Sequence, residues 1–225
     1  MKTKPYLFLT ILLVGLSCDY NENPDDNLII AEESDPVTDI DRNIYKTLKI
    51  GNQIWMAENL KTTKYNDGTS IECISWLIGT NYTVDEPLPP GYLWPQNNSS
   101  NKDLYGALYN GYALYTGKLA PTGWHVPSES EFKTLINYMG GETAAGQKFY
   151  EVGFRAQGAG QLAGNETWGF NLFPDLDKYW TTTSGGWTTT DTKYIRLLKD
   201  ISDQMIGWSS HPKDAGHSIR CIKNQ

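Results

Sequence analysis

The sequence predicts an α+β domain, a mixed and mainly antiparallel sheet with few helices and long loops. Three observations predict it. Short β-type segments stand at both ends of the body, one amphipathic helix lies between them, and Gly-, Pro- and Asn-rich stretches fill much of the rest. With 12% aromatic residues, eight Trp and fourteen Tyr, the 225-residue chain is too aromatic for disorder and long enough to bury a core. Its net charge of −7 argues against a nucleic-acid partner, which calls for clustered Lys and Arg. Three Cys are too few for a disulfide-built scaffold.

The first element is an export segment. Lys2 and Lys4 precede an apolar run from Leu7 to Leu16, followed by Ser17 and Cys18. A basic start, a short apolar stretch and a small residue before a cleavage point read residues 1–17 as a signal peptide. The run is well short of the ~20 apolar residues that span a bilayer. Ser17-Cys18 resembles the lipobox of bacterial lipoproteins, with Gly15 departing from the usual Leu or Val, as in the looser boxes of Bacteroidetes. The resemblance implies lipidation of Cys18 and an outer-membrane lipoprotein exposed on the cell surface, with the membrane as partner through the lipid anchor. A plain secretory peptide with Cys18 incidental is the alternative.

Residues 18–43 read as an acidic flexible tether. Nine acids and only Arg42 and Lys46 fall within residues 18–48, and Pro24 and Pro36 interrupt them. Such a segment buries too little apolar surface to offset its ordering entropy. An acidic run directly after the cysteine also resembles the surface-export signal of Bacteroidetes lipoproteins. A merely solvated linker is the alternative. Residues 49–225 hold 17 acids and 15 bases, so the acidity belongs to the tether.

Residues 44–225 read as one domain. Ile44 to Ala57 spells two strands around Gly51-Asn52, a pair suited to a hairpin. Asn66-Asp67-Gly68 marks a second turn. Residues 79–103, with four Pro and the run Asn97-Asn-Ser-Ser-Asn101, read as a long irregular loop. Ser128 and Glu131 form a capping box, Phe132, Leu135, Ile136 and Met139 make one apolar stripe, and Gly140-Gly141 ends the helix. The chain then becomes loop-rich. Strand-like pieces follow at Tyr179–Thr183, Lys193–Leu198, Gln204–Trp208 and His217–Ile222. Strands at both ends suggest paired termini.

Four phrases carry a family resemblance: Lys49 to Leu60, Tyr105 to Asn110, Pro121 to Phe132, and Ser218 to Lys223. In this order they resemble the Fibrobacter succinogenes major paralogous domain, common in lipoproteins of Bacteroidetes and Fibrobacteres. The phrase from Gly123 to Phe132 is also similar to one in formylglycine-generating enzymes, as is Ile219-Arg220-Cys221 to their terminal phrase. This resemblance implies a C-type-lectin-like framework with paired terminal strands and any site on long loops. Where the family carries Cys-Pro this chain has Ala120-Pro121, which removes a cysteine that would pair with Cys221. A Cys73–Cys221 bridge and two free buried thiols remain as alternatives.

Catalytic constellations are sparse. Thiol chemistry of the formylglycine-generating kind needs two reactive cysteines near the C-terminus, and only Cys221 lies there. His211, Asp214 and His217 are weak metal candidates, since imidazole and carboxylate suit zinc-like ions, but a polar loop explains them as well. His125 reads as structural, held by backbone. Calcium lacks the Glu-Pro-Asn or Trp-Asn-Asp phrase of lectin sites, so no cofactor is expected. Aromatic surface remains. Trp76, Tyr82, Tyr92 and Trp94 surround the long loop, and Trp168, Trp180, Trp187 and Trp208 lie in the second half. Trp55, Trp124 and Trp180 read as core. Trp94, Trp168, Trp187 and Tyr92 are the speculative ligand contacts, because aromatic faces stack on sugars.

The expected function is a noncatalytic surface module for adhesion or recognition of a glycan, polymer or protein. A structural or assembly component of a surface organelle is the alternative, and a metal- or thiol-dependent enzyme comes third.

Overall fold

The computed structural model describes residues 31–80, 88–151, 161–164, 168–171, 176–185, 191–198 and 206–225. Cys18 and Trp187 lie outside them. In chain order come β1 (Ala31–Thr38), β2 (Ile44–Ile50), β3 (Gln53–Met56), β4 (Glu72–Cys73), β5 (Gly91–Leu93), α1 (Lys102–Tyr105), β6 (Leu108–Asn110) and α2 (Gly111–Leu114). Then follow β7 (Trp124–His125), α3 (Glu129–Tyr138), α4 (Glu142–Glu151), β8 (Gln161–Gly164) and β9 (Trp168–Asn171). The chain ends with β10 (Leu176–Ser184), β11 (Thr192–Leu198), β12 (Ile206–His211), β13 (Gly216–His217) and β14 (Ile222–Lys223). Among the described residues no helix is long and apolar enough to cross a membrane.

The strands form three sheets, ordered β1-β2-β3-β14-β7, β4-β5-β6-β13-β8-β9 and β10-β11-β12. Among the named strands, every pair is antiparallel except β4–β5. The α+β class with mainly antiparallel strands and few helices therefore holds. So does the pairing of the ends: Ile222 of β14 lies opposite both Trp55 of β3 and His125 of β7.

The expected hairpin joins β2 to β3 with Ile50 opposite Gln53. Gly51 takes a φ of +59°, where a Cβ would meet the following backbone and also sit 2.9 Å from the Tyr138 ring. Tyr138 is half exposed and can swing aside, so the backbone term dominates. Gly51→Ala is expected to cost about 1–2 kcal/mol and lower the thermal midpoint by roughly 2–8 °C. Gly51→Asn should lose less in the same melt, because Asn tolerates left-handed backbone.

The capped helix is α3. Ser128 Oγ accepts from Glu131 N–H while the Glu131 carboxylate accepts from Ser128 N–H, the two halves of the capping box. Its apolar stripe is buried as expected, with Phe132 4.9 Å from Trp55 between ring centroids.

Three expectations need correction. The tether assigned to residues 18–43 gives up its second half, since Ala31–Thr38 pairs along β2 as an edge strand. Only Val37 of β1 is buried, so its composition stays polar. The stretch after Gly141 is not loop at first: Glu142–Glu151 is helix α4, with Ala145 and Phe149 buried one turn apart. The region 79–103 is not one irregular loop either, because β5 and α1 form within it.

The sheets enclose two principal cores. α3 and α4 pack on Leu48, Ile50, Trp55 and Ile222 of the first sheet and on Tyr179, Ile195 and Ile206 of the three-stranded sheet. The opposite face of the three-stranded sheet turns Trp180 and Tyr194 into a second core with Tyr45, Met56, Tyr109, Ile219 and Cys221. Alternation along β10 and β11 thus buries both faces.

Candidate functional site

The parallel pair β4–β5 decides where the loop aromatics emerge. Cys73 lies opposite Tyr92, and Ile74 N–H donates to the Tyr92 carbonyl at 2.9 Å. The two strands run in the same direction, so Trp76 and Trp94 leave the pair at the same end. Trp76 is 46% exposed, and its indole N–H donates to Glu72. Trp94 is half-buried, packed against the core and edge-on to Tyr92 at 5.2 Å.

Beyond Trp94 the chain turns tightly. Gln96 and Asn97 have φ of 58° and 52°, two consecutive non-glycine residues in the left-handed region. The region costs Gln96 about 1–2 kcal/mol and Asn97 less, because Asn tolerates it. Asn97 N–H donates to the Trp94 carbonyl, and Asn101 Nδ2 donates to the Pro95 carbonyl at 3.0 Å. These bonds hold a strained turn that exposes Gln96 through Ser100, directly after Trp94 in the chain. Amides and hydroxyls next to an aromatic face are the elements of a polar-ligand site.

The expected ligand contacts divide. Tyr92 is buried at 8% exposure, so it supports Trp94 from beneath rather than offering a face. Burial, and then the neighbouring Cys73 thiol, push its hydroxyl up to about 12. Trp168 opens β9, far along the same sheet from β5. Trp76, not one of the expected ligand contacts, is the more exposed aromatic. Its place at the end of a parallel pair follows from β4 and β5, strands of two and three residues that the sequence does not announce. Trp55 and Trp180 are fully buried, and Trp124 is half-buried against the core.

His211 and His217 do come together. His211 Nδ1 and His217 Nε2 lie 3.0 Å apart in one hydrogen bond, and the rings stack at 5.0 Å. The bond engages one nitrogen of each ring, and the other nitrogen of His211 faces the Tyr194 hydroxyl. Among the described residues no group of three His, Cys, Asp or Glu is disposed to hold a metal ion. Asp214 sits on the turn between them, its carboxyl raised by burial.

His125 is held by side chains, not by backbone. Its Nδ1 meets Asn224 Oδ1 and its Nε2 meets Glu131 Oε1, both at 2.6 Å. Burial would raise Glu131, but the Ser128 amide and hydroxyl, with His125, hold it below its ordinary value. The capping box is thereby joined to the C-terminus, as one clamp over β7 and β14.

Among the described residues the two cysteines, Cys73 and Cys221, are free thiols, so the bridge alternative is not formed. Cys73 is exposed rather than buried. Cys221 is buried, and burial pushes its thiol well above the ordinary range. A thiol that stays protonated is a poor nucleophile.

Arg220 is fully buried. Its Nε and Nη2 donate to Asn59 Oδ1 at 3.0 and 2.8 Å, and its guanidinium lies over the Tyr179 ring. Asn59 in turn donates to the Tyr105 carbonyl. Residues from three of the four shared phrases thus meet at one buried junction, which makes them parts of the framework.

No curated protein and no solved structure matches the chain. The Fibrobacter succinogenes major domain matches residues 48–223. That span runs from β2 to β14 and takes in the hairpin, the clamp and the Asn59–Arg220 junction, so the chain belongs to the Fibrobacter succinogenes major domain family.

Proposed function

We propose that the protein is a noncatalytic recognition module on the cell surface, anchored through a lipidated Cys18 and taking its ligand where β4 and β5 end. The observation that carries this reading is an exposed Trp76 and a half-buried Trp94 that each follow one strand of the parallel pair, with the exposed Gln96–Ser100 turn next in the chain after Trp94. A flat aromatic face with amides alongside suits the alternating C–H and hydroxyl surfaces of a glycan. The strained turn supports the same reading, since backbone held in an unfavourable region clusters at ligand sites.

Chemistry finds little support among the described residues. Cys221 is buried and protonated, His125 has both ring nitrogens engaged, and His211 and His217 are bonded to each other. The assembly alternative is disfavoured at the β1 edge. Glu32, Glu33 and Asp35, a register shift between Ser34 and Val37, and Pro36 all blunt that edge against another strand.

The test is a glycan and polysaccharide screen with the chain from Asp19 onward, with and without calcium. The reading expects a sugar ligand retained without calcium. Absence of binding to any sugar in both conditions would remove the glycan reading.

A further inference from the structure

His217 is fully buried, yet its Nδ1 has no hydrogen-bond partner among the described residues. The ring is wedged between Trp180 at 4.3 Å and Tyr194 at 4.7 Å, and its other nitrogen bonds His211. His211 ends β12 and His217 ends β13, with only the turn from Pro212 to Ala215 and Gly216 between them. This bond joins the Thr192–His211 pairing of β11 with β12 and the Gly111 N–H bond to the Lys213 carbonyl in tying the end of β12 and its turn to the interior. The outer nitrogen of His211 faces the Tyr194 hydroxyl at 3.4 Å.

The bond exists only while a lone pair is available on one ring. With both rings neutral, one N–H donates to the other ring. A first proton leaves that bond standing but places a positive charge in the pocket. A second proton sets N–H against N–H and abolishes it. The surroundings oppose the charge: burial is the main cause, the Lys178 ammonium adds to it for both rings, and His211 is pushed down to about 4. From β10 the facing group is Lys178, which lies over the Tyr194 ring of β11. Asp191, just before β11, favours protonation of His211. On the turn, Lys213 lies over Tyr115, and Asp214 takes up a proton more readily than usual, an effect of opposite sign. Tyr109, opposite His217 on β6, is held uncharged by burial.

We propose that the His211–His217 pair is an acid-operated latch: as pH falls below about 6 the end of β12 and the Pro212–Ala215 turn open progressively more often while the helix-packed core stays closed. The opened form binds protons that the closed form refuses. Stability of the closed form is thus fully present above the unperturbed histidine value and falls as pH drops below it. The carboxylates held low by their partners (Asp41, Glu129 and Glu131) respond only at more acid pH, so the two windows separate.

Hydrogen exchange on the full chain tests the latch, with protection factors read for residues 206–217 and 129–138. From pH 6.5 to 5.5 protection at 206–217 should fall by about five- to thirtyfold, roughly fivefold for each imidazole that titrates, with 129–138 unchanged. His217→Gln and His211→Gln should each flatten that dependence. His211 is only half-buried, so His211→Gln serves if the inner variant does not fold. Unchanged protection at 206–217, equal loss at 129–138, or a wild-type slope in His211→Gln would each overturn the proposal.

Discussion

Replacing Trp180 with alanine is expected to destabilise the domain by about 4 kcal/mol, the larger of the two strongest effects. Trp180 is fully buried, and three elements rest on it. Its indole N–H donates to the Tyr109 carbonyl at 2.7 Å, and its ring stands edge-on to His217 and Tyr194. Truncation removes the transfer free energy of a large aromatic and leaves a cavity lined by the three-stranded sheet and by β6 and β13 of the six-stranded one. At roughly 2–4 °C for each kcal/mol in a domain of this size, the thermal midpoint should fall by about 8–16 °C. Trp180→Phe keeps most of the volume and loses the bond to Tyr109, so its loss should be about 1–3 kcal/mol. A melt in which both variants fall equally would place the value of Trp180 in the hydrogen bond rather than in packing.

The second large effect is at Asn59. Its Oδ1 accepts two N–H groups of a guanidinium that is itself fully buried. Asn59→Ala removes both charge-assisted bonds and leaves the donors to be desolvated without that acceptor, a loss of about 3 kcal/mol. Asn59→Asp restores the acceptor with a charge opposite to that of Arg220. It should recover at least half of the loss in urea denaturation, read from the midpoint at an unchanged slope. Failure of the aspartate to recover any stability would mean that the Asn59 Nδ2 bond to the Tyr105 carbonyl matters more than the arginine contact.

Local signals were legible in the sequence and long-range ones were not. The Gly51-Asn52 hairpin and the Ser128–Glu131 capped helix depend on neighbours within four residues, and both form as read. Helix α4 was hidden because Gly146 and two Thr/Ala positions weaken its pattern, although Ala145 and Phe149 at spacing four carried the signal. β1 was taken into the tether because an edge strand keeps one face and one edge in water, so only Val37 marks it. The β4–β5 pair spans two and three residues, too few for alternation to appear.

The candidate site divides along the same line. His211 and His217 lie six residues apart across a Pro-containing turn, and their proximity could be suspected from spacing alone. That Trp76 and Trp94 follow the same end of a parallel pair could not, since it depends on which strands pair and in which direction. The contact between Asn59 and Arg220 spans 161 residues. Only the family phrases hinted that these positions belong together, and the structure gives the reason: one buried guanidinium is shared between the first strands and the last.

The central claim is that ligand is taken at the end of β4–β5. Its most direct test is a binding titration of the sugar found in the screen against Trp94→Ala, Trp76→Ala and, as a surface control, Tyr138→Ala. Loss of a stacking face is expected to weaken binding by about five- to a hundredfold, the equivalent of roughly 1–3 kcal/mol, in each tryptophan variant and not in Tyr138→Ala. Wild-type affinity in both tryptophan variants would contradict the account.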